Sequence, residues 1–233
     1  MADARTPAEA LERLREGNAR FVAERTSLRA RLSATQEMRA QLARGQAPFA
    51  TVVCCSDSRV PAEMIFDQGL GDLFIVRNAG AVGGHAPLAS IEYAVERLRT
   101  RLVVVLGHEG CGAFAATREV LAGARPPSES LRELTARLAP SLIAAGPDGT
   151  PDEQCARAAR LHARSVAVAI ARSPLVAPLV ADGAVHVVPG YYSLTTGHVE
   201  LSLRVRAGEA DPAAGPAAAG ARDGEGRCAH EAA

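Results

Sequence analysis

Two short segments carry the residues whose types and spacing allow metal chemistry. The first reads Cys-Ser-Asp-Ser-Arg at residues 55–59, and the second reads Gly-His-Glu-Gly-Cys-Gly at residues 107–112. Each follows an apolar run typical of a buried strand, and open α/β sheets place ligand sites just beyond the carboxyl ends of their strands. If the two strands are neighbours, Cys55, His108 and Cys111 converge on one point.

These three side chains form a donor set suited to zinc. Two thiolates and one imidazole favour Zn²⁺, and three protein ligands leave a fourth tetrahedral position for water or for a nearby carboxylate. Glycines at positions 107, 110 and 112 allow the second segment to bend tightly. An open fourth position is typical of a catalytic zinc site, whereas structural sites are usually closed by four cysteine or histidine ligands.

A carboxylate and a guanidinium lie beside the first predicted ligand. Asp57 is two residues beyond Cys55, close enough to accept a hydrogen bond from metal-bound water or to occupy the open position itself. Arg59 is spaced to pair with Asp57, and its planar fork would keep this carboxylate ionised and oriented. The sequence therefore places an ion pair next to the metal.

Alternating segments predict the fold that brings these residues together. Strand-like runs alternate with helix-like segments, which indicates a parallel sheet with right-handed crossovers. The predicted strands are residues 48–55, 73–76, 102–106 and 185–188. The helices predicted between them are residues 88–98, 111–121 and 152–172. We therefore predict an α/β fold in which a mostly parallel sheet is flanked by helices.

Two further features are predicted at the ends of this pattern. An N-terminal helical arm covers residues 1–46, with amphipathic or polar helices over 6–24 and 34–44. Residues 199–205 are predicted to form a late edge hairpin with the last parallel strand, joined to it through a turn at Thr196-Gly197.

Two segments show no regular pattern. Residues 126–151 carry several prolines and glycines, and no element is predicted there. From residue 207 onward alanine, glycine, proline and scattered charge replace the apolar pattern, so burial is too small to offset the entropy of ordering. We predict one domain over residues 1–206 and a disordered tail over residues 207–233.

Composition excludes several classes of partner. The 233 residues include 26 Lys and Arg against 26 Asp and Glu, so no overall field attracts nucleic acid or an anionic membrane surface. No apolar run approaches the ~20 residues that a bilayer span needs. The N-terminus is acidic in part and lacks an apolar signal core, and the odd, scattered cysteines do not form a disulfide framework. We predict a cytoplasmic protein with a small-molecule partner.

Other cysteines and histidines are interpreted as structural. Cys54 faces opposite to Cys55 in a regular strand and is assigned to the core. Cys155 lies in a predicted helix and is interpreted as packed or inert. The remaining histidines before the tail are interpreted as structural or solvated: His85, His162, His186 and His198.

Taken together, the two metal-binding segments resemble those of the β-class carbonic anhydrases. The similarity also includes Phe-Ile-Val-Arg-Asn at 74–78 and Gly-Tyr-Tyr at 190–192, and it spans most of residues 1–206. The resemblance implies zinc at Cys55, His108 and Cys111, a catalytic dyad of Asp57 and Arg59, and bicarbonate binding by Gln68. Ala81 stands where many members carry asparagine.

The resemblance implies a reaction and an assembly. The reaction is the reversible hydration of carbon dioxide to bicarbonate and a proton, by attack of zinc-bound hydroxide, in a homodimer or higher homo-oligomer. Two alternatives stay open. One is a hydrolase acting on carbonyl sulfide or carbon disulfide at the same site, and the other is a non-catalytic zinc or thiol-redox protein.

The absence of tryptophan carries a further expectation. Some enzymes of this class bind bicarbonate in a second pocket that includes a tryptophan just before the first zinc cysteine, and its occupancy places the aspartate on zinc. This chain has no tryptophan, Val52 occupies the corresponding position, and Gln68 resembles members that stay open. We therefore predict that Asp57 pairs with Arg59 near neutral pH instead of binding zinc.

Overall fold

The fold is built around one five-stranded sheet. The structure, a computed structural model, describes residues 6–26 and 35–214. The strands are β1 (Ala50–Cys55), β2 (Leu73–Asn78), β3 (Leu102–His108), β4 (His186–Tyr192) and β5 (Val199–Leu201). Their order is β2-β1-β3-β4-β5, and all neighbours are parallel except β4 and β5. The predicted α/β fold with a mostly parallel sheet is confirmed.

Helices cover both faces of this sheet. They are α1 (Pro7–Val22), α2 (Gln36–Leu42), α3 (Ala62–Ile65), α4 (His85–Glu96), α5 (Gly112–Leu121), α6 (Glu129–Ala144), α7 (Pro151–Ala171) and α8 (Ala177–Ala181). Alternate strand residues enter different cores: Val52 and Val104 share one with α1, whereas Val53 and Val105 share one with α4 and α7. Burial on both faces explains why β1 and β3 are largely apolar.

Helices α1 and α7 begin with the same local signal, Thr-Pro-x-Glu. In α1 the Glu9 amide donates to the Thr6 hydroxyl and the Thr6 amide donates to the Glu9 carboxylate, and Thr150 and Glu153 repeat this capping box in α7. Two backbone donors at each helix start are thereby satisfied, with proline in the first turn where it costs no hydrogen bond.

Several observed elements differ from the sequence prediction, and the short helices α3 and α8 lie in segments where no helix is predicted. Helix α6 (Glu129–Ala144) lies in the segment to which no element was assigned. Ser128 caps its start, and the helix continues through Pro140. Strand β5 ends at Leu201 and is therefore shorter than the predicted hairpin partner, residues 199–205. Beyond Leu201 the amides of Ser202 and Val205 donate to β4 carbonyls, but these two bonds do not form a regular ladder.

Residues 207–214 follow the last strand and lie against α7. Glu209 pairs with Arg164 at 2.6 Å, and Ala213 is buried. The rest of the predicted tail, residues 215–233, and the arm residues 1–5 and 27–34 lie outside the described part of the chain. Among the described helices, none is both long enough and apolar enough to cross a membrane.

A group of buried and partly buried polar contacts, here called the α1 anchor, fixes α1 to two connections of the sheet. Its members are Arg13, Asn18, Arg20, Asp67 and Asp72. Arg13 pairs with Asp72 at 2.9 Å, and Arg20 pairs with Asp67 at 2.6 Å. The Asn18 amide donates to the carbonyls of Ile65 and Gly197 and accepts from the Val199 amide. Helix α1 therefore holds both the β1–β2 connection and the β4–β5 turn.

Candidate metal centre

Strands β1 and β3 bring the predicted ligands together. The two strands pair in parallel from Thr51 opposite Val103 to Cys54 opposite Leu106, so both end at the same edge of the sheet. Cys55 and His108 are their last residues, and Cys111 lies just before α5. The two sulfur atoms and an imidazole nitrogen lie within 4.8 Å of one another, and all three residues are buried.

His108 is oriented for binding through Nε2. Its Nδ1 lies 2.8 Å from the carbonyl oxygen of Glu109. Because a carbonyl only accepts hydrogen bonds, Nδ1 carries the proton and Nε2 keeps a free lone pair. Nε2 is buried and has no hydrogen-bond partner within the described chain. A buried nitrogen lone pair beside two thiols fits a metal ion, and the donor set fits zinc.

The Cys55 sulfur is favoured as a thiolate by its surroundings. It accepts hydrogen bonds from the backbone amides of Gly80 at 3.3 Å and Asp57 at 3.4 Å. The hydrogen bond from Cys111, together with those from the Asp57 and Gly80 amides, lowers the pKa of Cys55 to about 4 against the opposing effect of burial. The shared hydrogen bond and burial raise the pKa of Cys111. A second thiolate here thus needs a positive partner, which a divalent cation supplies.

Glycine occupies positions 107 and 110 of the second segment for different structural reasons. Gly110 has φ +62°, the left-handed region that glycine adopts without strain, so it provides the predicted tight turn. Gly107 instead allows close packing, because a Cβ there would lie 2.7 Å from the Ala159 carbonyl oxygen of α7. A Cβ on Gly112 would meet no atom within 4 Å, so the structure gives no steric reason for this glycine.

Asp57 and Arg59, just after Cys55, form a two-pronged ion pair. Arg59 Nε donates to Asp57 Oδ1 at 2.9 Å, and Nη2 donates to Oδ2 at 2.7 Å. The guanidinium holds the pKa of the Asp57 carboxyl well below its usual range. Nη2 also donates to the Gly110 carbonyl at 3.0 Å, so Arg59 connects the two ligand-bearing segments.

Two residues outside the predicted site also fix the first segment. Arg77 donates to the carbonyl oxygens of Cys55 at 3.0 Å and Asp57 at 2.8 Å. Asn78 brackets the following turn, with its side chain accepting from the Val82 amide and donating to the Val82 carbonyl. This turn carries the Gly80 amide that donates to the Cys55 sulfur.

Gln68 does not line the cavity that borders the three ligands. Its Nε2 donates to the Phe66 carbonyl at 2.6 Å. A Cβ on Gly17 of α1 would lie 2.9 Å from this Gln68 Nε2. Within the described chain the Gln68 amide is thus engaged beside α1, and its assignment to bicarbonate stays a prediction.

A water-sized cavity of about 10 Å³ borders the ligands, and its wall is largely apolar. Phe114 and His162 lie in this wall, with ring centroids 5.7 Å apart. His162 Nδ1 lies 3.2 Å from the Ser141 hydroxyl, whereas Nε2 is buried without a partner of good geometry. Burial lowers the pKa of His162 to about 4. Ala81 also lines the cavity and has φ +53°, a conformation that asparagine tolerates better than alanine.

Fold and site together define an α/β protein with a cluster of potential metal ligands at the carboxyl edge of its sheet. A sequence model described as carbonic anhydrase matches residues 50–199. "Carbonic anhydrase 2" of Mycobacterium tuberculosis H37Rv is 42% identical over 195 residues, covering 84% of this chain and 92% of that protein. The carbonic anhydrase of Mycolicibacterium smegmatis is 42% identical over 197 residues, with coverages of 84% and 93%. The chain therefore belongs to the carbonic anhydrase family of lyases.

Solved structures place the fold in the β class. One of two tetrameric β-carbonic anhydrases from Sordaria macrospora matches with a TM-score of 0.67 at 22% identity, covering 75% of this chain and 91% of that one. The Coccomyxa β-carbonic anhydrase, solved with acetazolamide, matches with a TM-score of 0.61 at 23% identity, covering 86% of both chains. The predicted β-class resemblance is confirmed.

Proposed function

We propose that this chain hydrates carbon dioxide reversibly at a zinc ion held by Cys55, His108 and Cys111. The observation that carries the zinc assignment is the cluster itself, in which the ligand atoms lie within 4.8 Å and His108 Nε2 has no partner among the described residues. Zinc, when bound, supplies the Lewis acidity that generates a nucleophile from water near neutral pH. The apolar wall excludes bulk water and strengthens electrostatic interactions at the centre.

Asp57 is proposed to orient the reacting water. Its low pKa keeps it ionised, so it accepts hydrogen bonds but is too weakly basic to hold a proton at neutral pH. Arg59 fixes the carboxylate by engaging both of its oxygens. Leaving this pair for the metal would break two charge-assisted hydrogen bonds, so we propose that Asp57 stays with Arg59 near pH 7.

Metal analysis of ligand variants tests the zinc assignment. Purified parent protein is expected to hold about one zinc per chain and to hydrate carbon dioxide in a stopped-flow indicator assay. His108→Ala and Cys111→Ala should lose both properties. Cys155→Ala is the matched control, because Cys155 is a buried thiol in the same apolar cluster but outside the ligand group. Full zinc retention in both ligand variants would contradict the assignment.

We also infer a homodimer or larger assembly. In the described chain β2 pairs only with β1, so its other edge presents unpaired backbone groups. Tyr93 of α4 lies beside this strand, in ring contact with Phe74, and is about half exposed. Light scattering at micromolar concentration should give at least twice the chain mass, and a monomer would contradict this inference.

We propose a reducing, cytoplasmic compartment because the zinc site requires reduced cysteines. The cysteines of the described residues are all free, buried thiols: Cys54, Cys55, Cys111 and Cys155. Two of them must remain thiolates to bind the metal, and an oxidising compartment would favour their oxidation instead.

A further inference from the structure

Glu109 lies between two proposed ligands, yet its side chain is bonded to another part of the chain. Its carboxylate accepts from the Ser193 hydroxyl at 2.8 Å, the Thr195 amide at 3.0 Å and the Thr195 hydroxyl at 2.9 Å. These donors all belong to the turn between β4 and β5, residues 193–198. A single side chain therefore ties the metal-binding segment to this β4–β5 turn.

The main chain of Glu109 is in contact with the ligand His108. The Glu109 carbonyl lies 2.8 Å from His108 Nδ1, and the Glu109 amide donates to the Tyr192 carbonyl at 2.9 Å. The residue that sets the tautomer of His108 is thus held at its amide by β4 and at its carboxylate by the β4–β5 turn.

The β4–β5 turn is itself fixed. The Ser193 amide donates to the His198 carbonyl and the Gly197 amide donates to the Ser193 carbonyl, each at 2.9 Å. Asn18 of α1 donates to the Gly197 carbonyl at 2.9 Å. Leu194 lies over Gly110, where a Cβ would be 3.7 Å from its Cδ1. Glu109 is therefore bonded to a turn that is held by its own backbone hydrogen bonds and by α1.

We propose that Glu109 is a positioning residue for the metal ligand His108. Its carboxylate fixes the peptide whose carbonyl accepts from His108 Nδ1, and this contact directs Nε2 toward the other two ligands. The inference rests on the proposed zinc site. Residues that orient a ligating histidine typically change metal affinity 10–100-fold when removed, although they do not touch the metal.

A purely structural role makes a different prediction. If Glu109 only closed the β4–β5 turn, its loss would lower stability without changing metal affinity in the folded protein. The distinguishing measurement is zinc affinity, obtained by competition between the full-length folded protein and a chelator of known affinity. The absorption spectrum of the cobalt-substituted protein reports the geometry of the centre independently of activity.

Three variants and one control define the experiment. Glu109→Ala removes all three carboxylate contacts, Glu109→Gln keeps the length and one acceptor oxygen, and Thr195→Val removes one donor hydroxyl from the opposite side. Glu200→Gln is the control, because Glu200 lies on the same hairpin but pairs with Arg160 at 2.5 Å.

We expect Glu109→Ala to bind zinc 10–100-fold more weakly and to show an altered cobalt spectrum. Glu109→Gln and Thr195→Val should lie between this variant and the parent, and Glu200→Gln should stay within twofold of the parent. A folded Glu109→Ala with parental affinity and spectrum would overturn the proposal. If that variant does not fold, parental affinity in both Glu109→Gln and Thr195→Val would do so. A parent that binds no zinc refutes the proposed function instead.

Discussion

Two regions of the molecule use carboxylate–arginine pairs in opposite ways. In the α1 anchor the side chains of Asp67 and Asp72 are 0% and 4% exposed, and each faces an arginine of α1. In the metal-site region, residues 55–59 and 107–112, the Arg59 side chain is 55% exposed and His108 Nε2 has no partner within the described chain.

The difference separates groups that stabilise the fold from groups that serve a ligand. A buried carboxylate facing an arginine is costly to disturb, since the remaining charge stays in a poorly solvated place. A nitrogen lone pair without an internal partner, next to thiols, gains only when something from outside binds. Changes in the α1 anchor should therefore alter stability, whereas changes in the metal-site region should alter binding and catalysis.

Asp72→Asn should have the largest effect on stability. It removes the negative charge that faces the mostly buried Arg13, and breaking such a pair costs about 3 kcal/mol. Urea unfolding at pH 7 measures this loss, and zinc content per folded chain should not change. Glu129→Ala, in an exposed pair with Arg132, is the control and should stay within about 0.5 kcal/mol of the parent. Similar losses in both variants would show that burial does not distinguish the pairs.

Asp57→Asn and Arg59→Ala should have the converse effect. We expect carbon dioxide hydration to fall roughly 10–100-fold in each variant. Asp57→Asn removes the carboxylate proposed to orient the water, and Arg59→Ala removes the guanidinium that holds this carboxylate in place. Zinc content should stay parental, and the free energy of unfolding should change by less than about 1 kcal/mol, since the pair is partly exposed. The comparison between regions breaks down if these variants keep full activity or lose as much stability as Asp72→Asn.

His162 extends the comparison to a group buried in the cavity wall. Burial lowers its pKa from 6.5 to about 4, so the unfolded chain takes up a proton first as the pH falls. The part of the free energy of unfolding that comes from the neutral, buried His162 is therefore fully present above pH 6.5 and is lost as the pH falls toward 4. Between pH 7 and pH 5 the parent should lose about 2 kcal/mol more than His162→Gln. Equal pH dependence in urea unfolding of the two proteins would contradict this expectation.

Ala81→Gly should give the smallest effect, in the direction of greater stability. Ala81 has φ +53°, where a side chain costs about 1 kcal/mol that glycine avoids. We expect a gain of up to about 1 kcal/mol with unchanged zinc content. The matched control is Ala79→Gly in the same short turn, because Ala79 has no positive φ and should lose stability. A gain in both variants would mean that strain at Ala81 is not the cause.

Local signals in the sequence predict the parallel sheet and the close approach of the three proposed metal ligands. Cys55 and His108 end apolar strands, and the parallel order of those strands fixes their proximity. Helix α6 was missed because prolines and glycines surround it, although Ser128 caps its start. The bond between Glu109 and Thr195 joins residues 86 apart, and no local pattern indicates which side chain a loop carboxylate will meet.

The parallel sheet also sets the order in which the site is completed during synthesis. All three proposed ligands precede residue 112, but the wall residue His162 and the turn that holds Glu109 come much later. Strand β4 pairs with β3 only after a crossover that contains α5, α6, α7 and α8. A growing chain therefore exposes two reactive thiols and an imidazole before it can enclose them, and long-range parallel pairing of this kind is slow to form.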